Sequence, residues 1–426
     1  MTKLDVQKVR SHFPSLETGY IFADNAGGSQ VTRGVVDRIT DYLIHSNVQL
    51  GADYAISIQS TKRVAEGVVA AQQLFNAASV DEVVLGSSST LNLENLARGL
   101  ESDIKAGDEF IITGDHEANA GPWKKLAQRT GAVIKLWEAT PTSHDNPYSV
   151  ALKIEDLLPL VTSKTRIVAF TACSNILGTL NPIAEFTKAI RKEAKEKGAA
   201  KVEISVDCVA YAPHRRIDVQ AWNIDFCVFS LYKVYGPHMS GLYVRKAALT
   251  SSVSALTHHF LPVDEISYKL QPGGQGYELV YSITDLVPYF QSLTPENTLE
   301  AGFAAIAEHE VTLMKPLISF LTEQKQWDRG VRLVGVPSTS AVDRAPTISF
   351  VVVGEKAMSS RDVVRVFDKK GQVGIRYGHF YAYTLVEHLS PDMDTADGVV
   401  RISLVHYNTV QEVERIIEIL KEALGV

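Results

Sequence analysis

The middle of this chain alternates short apolar runs with amphipathic stretches, and few folds accommodate that pattern. The runs fall at residues 82–85, 109–113, 133–137, 166–171, 202–206 and 225–229. Each is of strand length and is bounded by charged or turn residues. Between them, 91–100, 123–130 and 182–197 carry apolar side chains at helical spacing. Parallel strands need crossovers, and a helix is the usual crossover. The alternation therefore predicts an α/β fold: a large, doubly wound, mostly parallel sheet with helices on both faces. In such a sheet, the loops after the strands' carboxyl ends form the ligand crevice.

Two of those ends carry complementary groups. Asp207 closes the run at 202–206, and Lys233 follows the run at 225–229, with Ser230 three residues before it. Both face the crevice from one sheet edge. An amine able to form a Schiff base, beside a carboxylate for a pyridinium nitrogen, is what pyridoxal 5′-phosphate (PLP) requires. A strand-end Asp or a surface Lys is common alone; the pair in this order is not. Gly86-Ser87-Ser88-Ser89-Thr90 lies between an apolar run and a helix start. Free N–H groups there bind phosphate, with Ser89 and Thr90 adding hydroxyls, although an unliganded capping loop would read the same. His116 follows the run at 109–113, where it could stack on a pyridine ring or serve only its loop. Asn175 follows the run at 166–171, where its amide could donate to a phenolic oxygen or simply belong to the turn.

The rest of the chain frames this region. Residues 5–12 read as a leading helix stopped by Pro14, and Ser60 reads as the N-cap of a helix carrying Val64, Val68, Ala71 and Phe75 on one face. After Gly276 the pattern changes to long helices over 298–324, strands at 347–353 and 400–404, a helix at 361–367, and a closing helix over 410–424. The last has a Thr409/Glu412 capping box. This gives a large domain over 19–276 and a smaller α+β domain from 1–18 and 277–426. A net charge of −7 without a dense Lys/Arg block argues against nucleic acid or an anionic membrane as partner. No apolar run approaches spanning length. Cys173, Cys208 and Cys227 show no metal-type spacing and no disulfide framework, so a reduced cytoplasm is the expected compartment.

Taken together, Asp24-Asn25-Ala26, the His116 turn, Ser174-Asn175-x-x-Gly178, Asp207 through His214, and Ser230-x-x-Lys233-x-Tyr235-Gly236-Pro237 resemble the class V aminotransferase group of fold-type I PLP enzymes. Within it they resemble the cysteine-desulfurase-like branch. The resemblance implies an aldimine on Lys233, Asp207 on the pyridine nitrogen, His116 stacked on the ring and Asn175 on the phenolic oxygen. Ser89, Thr90, His214 and Ser230 would seat ring and phosphate. Arg401 would clamp the carboxylate of an amino-acid substrate. Asn25 is expected on the substrate side, and Tyr232, His379 and Tyr381 could line an aromatic pocket around the substrate or simply pack the loop; Lys233, His116 and Tyr381 are the candidate catalytic residues. Gln275 stands where relatives reach the phosphate of a neighbouring subunit, which implies a homodimer with shared sites.

Three positions depart from the family. Ala210 replaces a common Gln, and Tyr232 replaces the usual His before the lysine. Tyr381 occupies the place of the desulfurase cysteine. A phenol cannot accept sulfane sulfur as a thiolate does. The expected chemistry is loss of the α-proton to give a quinonoid, with Lys233 as base. The branch includes a class V enzyme of the fungal loline-alkaloid pathway. The favoured outcome is therefore carbon–carbon bond formation or ring closure of Mannich type at the α-carbon. β-Elimination, transamination and a non-catalytic PLP-binding role are the alternatives.

Overall fold

The computed structural model describes residues 3–258, 260, 266–389 and 393–426. The large sheet holds β1 (Val83–Gly86), β2 (Glu109–Thr113), β3 (Val133–Trp137), β4 (Thr165–Thr171), β5 (Glu203–Asp207), β6 (Phe226–Ser230) and β7 (Ser240–Val244). Its strand order is β1-β7-β6-β5-β4-β2-β3. Neighbours from β6 through β3 pair in parallel, and β7 runs antiparallel to both β1 and β6. The sequence pattern missed β7 because the loop 231–239, with no crossover α-helix, brings it back beside β6. Every residue of β4, β5 and β6 is buried, as parallel strands covered on both faces must be.

Those faces are built by strand alternation. Val83 and Leu85 join Phe170, Val206 and Phe229 against α1 (Ala55–Phe75) and α4 (Ile183–Glu196). Val84, Phe110, Ile112 and Val228 face the other way, against α2 (Ser89–Leu100) and α3 (Glu117–Thr130). α1 begins at Ala55, five residues before the expected cap. Ser60 is buried inside the helix, where its hydroxyl bonds Tyr42. That tertiary partner, and not an exposed helix start, accounts for the serine.

The second sheet is antiparallel, with β8 (Val331–Val334), β9 (Thr347–Val352), β10 (Arg376–Gly378) and β11 (Val399–Ser403) in the order β8-β9-β11-β10. α5 (Leu299–Leu321), α6 (Ser360–Lys370) and α7 (Val410–Leu424) cover it, and α7 opens with the expected Thr409/Glu412 capping box. Leu4, Val9, Phe13 and Leu16, with Val280 through Ile306, pack into the large-sheet core; the small-sheet core takes up α5 only from Leu313. On this packing we place the domain division inside α5 instead of at residue 276. Among the described residues, no helix is long and apolar enough to cross a membrane.

Candidate active site

β5 and β6 lie side by side and end at Asp207 and Ser230. One 3-10 turn, Leu231–Lys233, then folds the lysine back over the sheet edge. The turn is held by Val234 N–H donating to the Leu231 carbonyl at 2.8 Å and Gly236 N–H to the same carbonyl at 3.0 Å. Tyr235 follows in the left-handed region (φ 65°), anchored by its hydroxyl donating to the Pro213 carbonyl at 3.1 Å. Burial, then the Arg401 charge, lowers the Lys233 ammonium to about 8, against the pull of Asp207 and Asp24. Burial raises Asp207 to about 6, although the Val209 N–H donates to its Oδ1 at 2.9 Å. Each group thus approaches its neutral form more closely than it would in water.

The start of α2 forms the second wall. Ser88 caps the helix, its Oγ accepting from Leu91 N–H at 3.1 Å. Ser89 and Thr90 stand in the first turn, where backbone N–H groups have no helical acceptor. Ser89 Oγ lies 2.7 Å from Ser230 Oγ and 2.8 Å from Ser240 Oγ, so three strand and helix ends meet in one hydroxyl cluster. Gly86 leaves room for Asn92, whose Nδ2 donates to the Ser240 carbonyl at 3.2 Å, since a Cβ there would sit 2.0 Å from Asn92 Oδ1.

His116 caps α3, and its Nδ1 accepts from Ala118 N–H at 3.1 Å, which leaves the ring proton on Nε2. Burial, followed by Lys233 and Arg401, lowers its pKa to about 4, so the imidazole is neutral. Asn175 sits in the turn after β4, closed by Gly178 N–H donating to the Ser174 carbonyl at 2.9 Å. Gly178 has φ +69°, and a Cβ would meet the Thr347 carbonyl oxygen at 2.2 Å, so only glycine lets this turn rest on β9. Asn175 Nδ2 donates to the Phe380 carbonyl at 3.0 Å, while Oδ1 is buried without a partner.

From the small domain come Arg401, on β11, and the loop after β10. Arg401 is buried, and its Nη2 meets Asp24 Oδ1 at 2.8 Å. Tyr381 lies at the rim, its side chain exposed and its ring centroid 5.8 Å from that of His116. These residues enclose two adjoining cavities that share Thr90, His116, Asn175, Tyr232 and Lys233. The inner one, about 90 Å³, ends on Asp207, Ser89 and Ser230. The outer one, about 530 Å³, reaches Arg401, Phe380 and Tyr381.

The fold therefore brings Lys233, Asp207, His116, Asn175, Ser89, Thr90, Ser230, Tyr232, Arg401 and Tyr381 together. Four expected residues lie elsewhere. His214 is turned away to Glu310, its Nδ1 2.6 Å from Oε1, because a fully buried carboxylate on α5 requires polar partners. Asn25 is buried and spent on the Phe22 and Ser403 carbonyls and the Tyr407 hydroxyl; Ala26 and Gly27 line the cavity instead. His379 caps its own turn, Nδ1 accepting from Tyr381 N–H at 3.2 Å. Gln275 bonds Gln271 and lines a separate cavity. Sequence reasoning missed Phe380, Arg376 and Asp24, whose places depend on the packing of the two domains. Cys173 also lines the inner cavity, buried, with burial pushing its thiol up to about 12.

Residues 21–416 match the model of the aminotransferase class-V family. The chain belongs to that family. It is 45% identical to the aminotransferase-like protein FGM3 of Gibberella zeae, over 99% of both chains. It is 31% identical to the cysteine desulfurase-like protein ustD of Aspergillus flavus, covering 96% of this chain and 88% of that one. The nonribosomal peptide synthetase-like enzyme fsqF of Aspergillus fumigatus is 32% identical, with 95% of this chain matching 26% of that protein. The solved cysteine desulfurase of Thermococcus onnurineus superposes with a TM-score of 0.82 at 22% identity, covering 100% of this chain and 99% of that one, a likeness of fold. This class V chain is therefore of fold type I, and its cofactor is PLP. The cavity residues fit that group: an amine, a carboxylate, a neutral imidazole and a hydroxyl-rich helix start converge on one space.

Proposed function

We propose that this class V enzyme joins or cyclises carbon at the α-carbon of an amino acid and does not form a persulfide. One observation carries the reading. Tyr381 stands at the rim of the cavity shared by Lys233 and Arg401, and all three cysteines are buried. Bound PLP supplies an electron sink for an α-carbanion. Lys233 Nζ then takes the α-proton, Arg401 orients the carboxylate, and Asp207 keeps a proton on the pyridine nitrogen. The α-carbon would then bond to the carbon of a carbonyl or iminium partner, whose π pair would move onto its oxygen or nitrogen, the oxygen then taking up a proton. Space for that partner is what the outer cavity, about 530 Å³ and edged by Tyr232, Pro122 and Tyr381, supports. The name of the nonribosomal peptide synthetase-like relative supports a place in secondary metabolism, with alkaloid formation as the proposed branch. A homodimer with shared sites is supported by the apolar Leu43, Ile44, Ile56 and Ile58, which lie exposed on the helices Arg33–His45 and α1. The test incubates the PLP-loaded enzyme with amino acids, with and without small aldehydes. A product mass equal to the sum of both reactants supports the reading; loss of a β-substituent alone replaces it with β-elimination.

With cysteine and a thiol reductant, sulfide release should stay at background, because the three thiols are buried and a phenol cannot take sulfur. Sulfide that disappears on replacing Cys173 by serine would show a catalytic thiol in the inner cavity and would end this reading.

Arg401→Lys keeps the charge but loses the planar fork. It should weaken amino-acid binding by about 1.5–3 kcal/mol, the scale of a charge-assisted hydrogen bond, with PLP content unchanged. Titration by cofactor absorbance measures this, and unchanged affinity would make Arg401 only Asp24's partner.

A further inference from the structure

We infer that Phe380 is a positioning residue for substrate binding, fixing the plane of the Arg401 guanidinium with its ring and the Asn175 amide with its backbone. The inference rests on Arg401 as the carboxylate-binding residue. Arg376 and Arg401 are direct cross-strand partners on β10 and β11. Like charges so placed repel, and a guanidinium held by few contacts can turn on its stem. Asp24 takes both, Oδ1 at 2.8 Å from Arg401 and Oδ2 at 3.5 Å from Arg376. Among the described residues, Arg401 bonds besides Asp24 only the Asn175 carbonyl, at 3.3 Å, and its Nε has no partner. Phe380 supplies the missing constraint. Its ring centre lies 3.6 Å from Arg401 Cζ and 5.4 Å from Arg376 Cζ, within cation–π range of both.

The backbone is shaped for this contact. Phe380 (φ 49°) and Tyr381 (φ 61°) are consecutive left-handed residues without being glycine. That conformation persists only where the surroundings hold it, and it clusters at functional sites. Here it turns the Phe380 ring to Arg401 while the Phe380 carbonyl accepts from Asn175 and the Tyr381 carbonyl accepts from Glu117 N–H at 2.8 Å, beside His116. One loop of the small domain thus sets the carboxylate clamp, the Asn175 amide and the α3 start in a single geometry.

The competing role is packing, since Phe380 also belongs to a buried cluster with Tyr148, Ile176 and Val399. Phe380→Leu keeps the apolar bulk and removes the π face, so it separates the two. Titrating the PLP-loaded protein with amino acid should show affinity weakened roughly five- to thirtyfold, the range of a cation–π contact between the upper end of the exposed cases and a desolvated one. The turnover number should stay within about threefold, and Phe380→Tyr should restore binding. Affinity equal to the parent's in Phe380→Leu overturns the inference. Should that variant fail to fold, pentafluorophenylalanine at 380 decides, because it keeps size and inverts the ring's charge distribution; parent-like affinity there is equally fatal. The Arg401→Lys background distinguishes the two levels. If Arg401→Lys itself binds normally, the assignment of Arg401 has failed. If it binds weakly and Phe380→Leu costs the same again on top, the ring acts by packing alone and the inference is overturned. An added cost below about twofold supports it.

Discussion

Lys233→Ala should fold, bind PLP without a covalent link, and turn over amino acid at roughly 10⁻² to 10⁻⁴ of the parent rate, the span of a lost general base. Borohydride reduction of the parent, followed by peptide mapping, should place the pyridoxyl group on Lys233. The nearby lysine that could compete, Lys125, is held in an ion pair with Glu94 at 2.5 Å. A pH dependence follows from burial. The attacking form is the neutral amine, and burial with Arg401 lowers the Lys233 ammonium to about 8. Covalent loading of cofactor-free protein should therefore speed up as pH rises through about 8 and then level off, instead of climbing toward the ordinary lysine range near 10.4. A label on another lysine, or a loading rate still rising at pH 10, would remove Lys233 from the role.

Asp207→Asn should act in opposite directions on turnover and on stability. The amide keeps an acceptor for the Val209 N–H, so the strand end is retained. It cannot hold a proton on the ring nitrogen, and turnover should fall on the order of a hundredfold or more, the scale of removing one preorganised electrostatic partner. In the cofactor-free protein the sign reverses. The folded pKa, about 6, lies above the unfolded value near 3.9, so the folded state binds the proton more tightly. That penalty is absent below the unfolded value, grows between about 4 and 6, and is complete above 6. Above pH 6 cofactor-free Asp207→Asn should therefore be the more stable form, by at most about 3 kcal/mol; below pH 4 the two should match. Urea unfolding at pH 4 and pH 7.5, paired with turnover of the loaded enzymes, measures both. Turnover within threefold of the parent would refute the pyridine-nitrogen role.

The cost carried by Asp207 shows why the inner site was legible before any coordinates. Strand ends are fixed by local alternation, so Asp207, Ser230 and Lys233 had to meet at one edge once β5 and β6 were read as parallel neighbours. His116, Asn175, Ser89 and Thr90 follow by the same logic, each three or four residues beyond a strand. The capping box of α7 was equally local. β7 escaped because an antiparallel return needs no crossover helix, and Ser60 misled because a buried hydroxyl and an N-cap look alike in sequence.

What the sequence by itself determined is thus the large sheet, the edge on which chemistry is carried, and the absence of a thiol at position 381. Only the tertiary structure decided how the small domain closes that edge. His214 was drawn to Glu310 on α5, 96 residues away, and Asn25 to Ser403 and Tyr407, more than 370 residues away. Phe380 reached Arg401 and Asn175 by the same route. The reason is physical. Strand and helix signals depend on side-chain period within a dozen residues, whereas the partner of a buried charge or amide is whichever group the packing of two cores brings within about 3 Å.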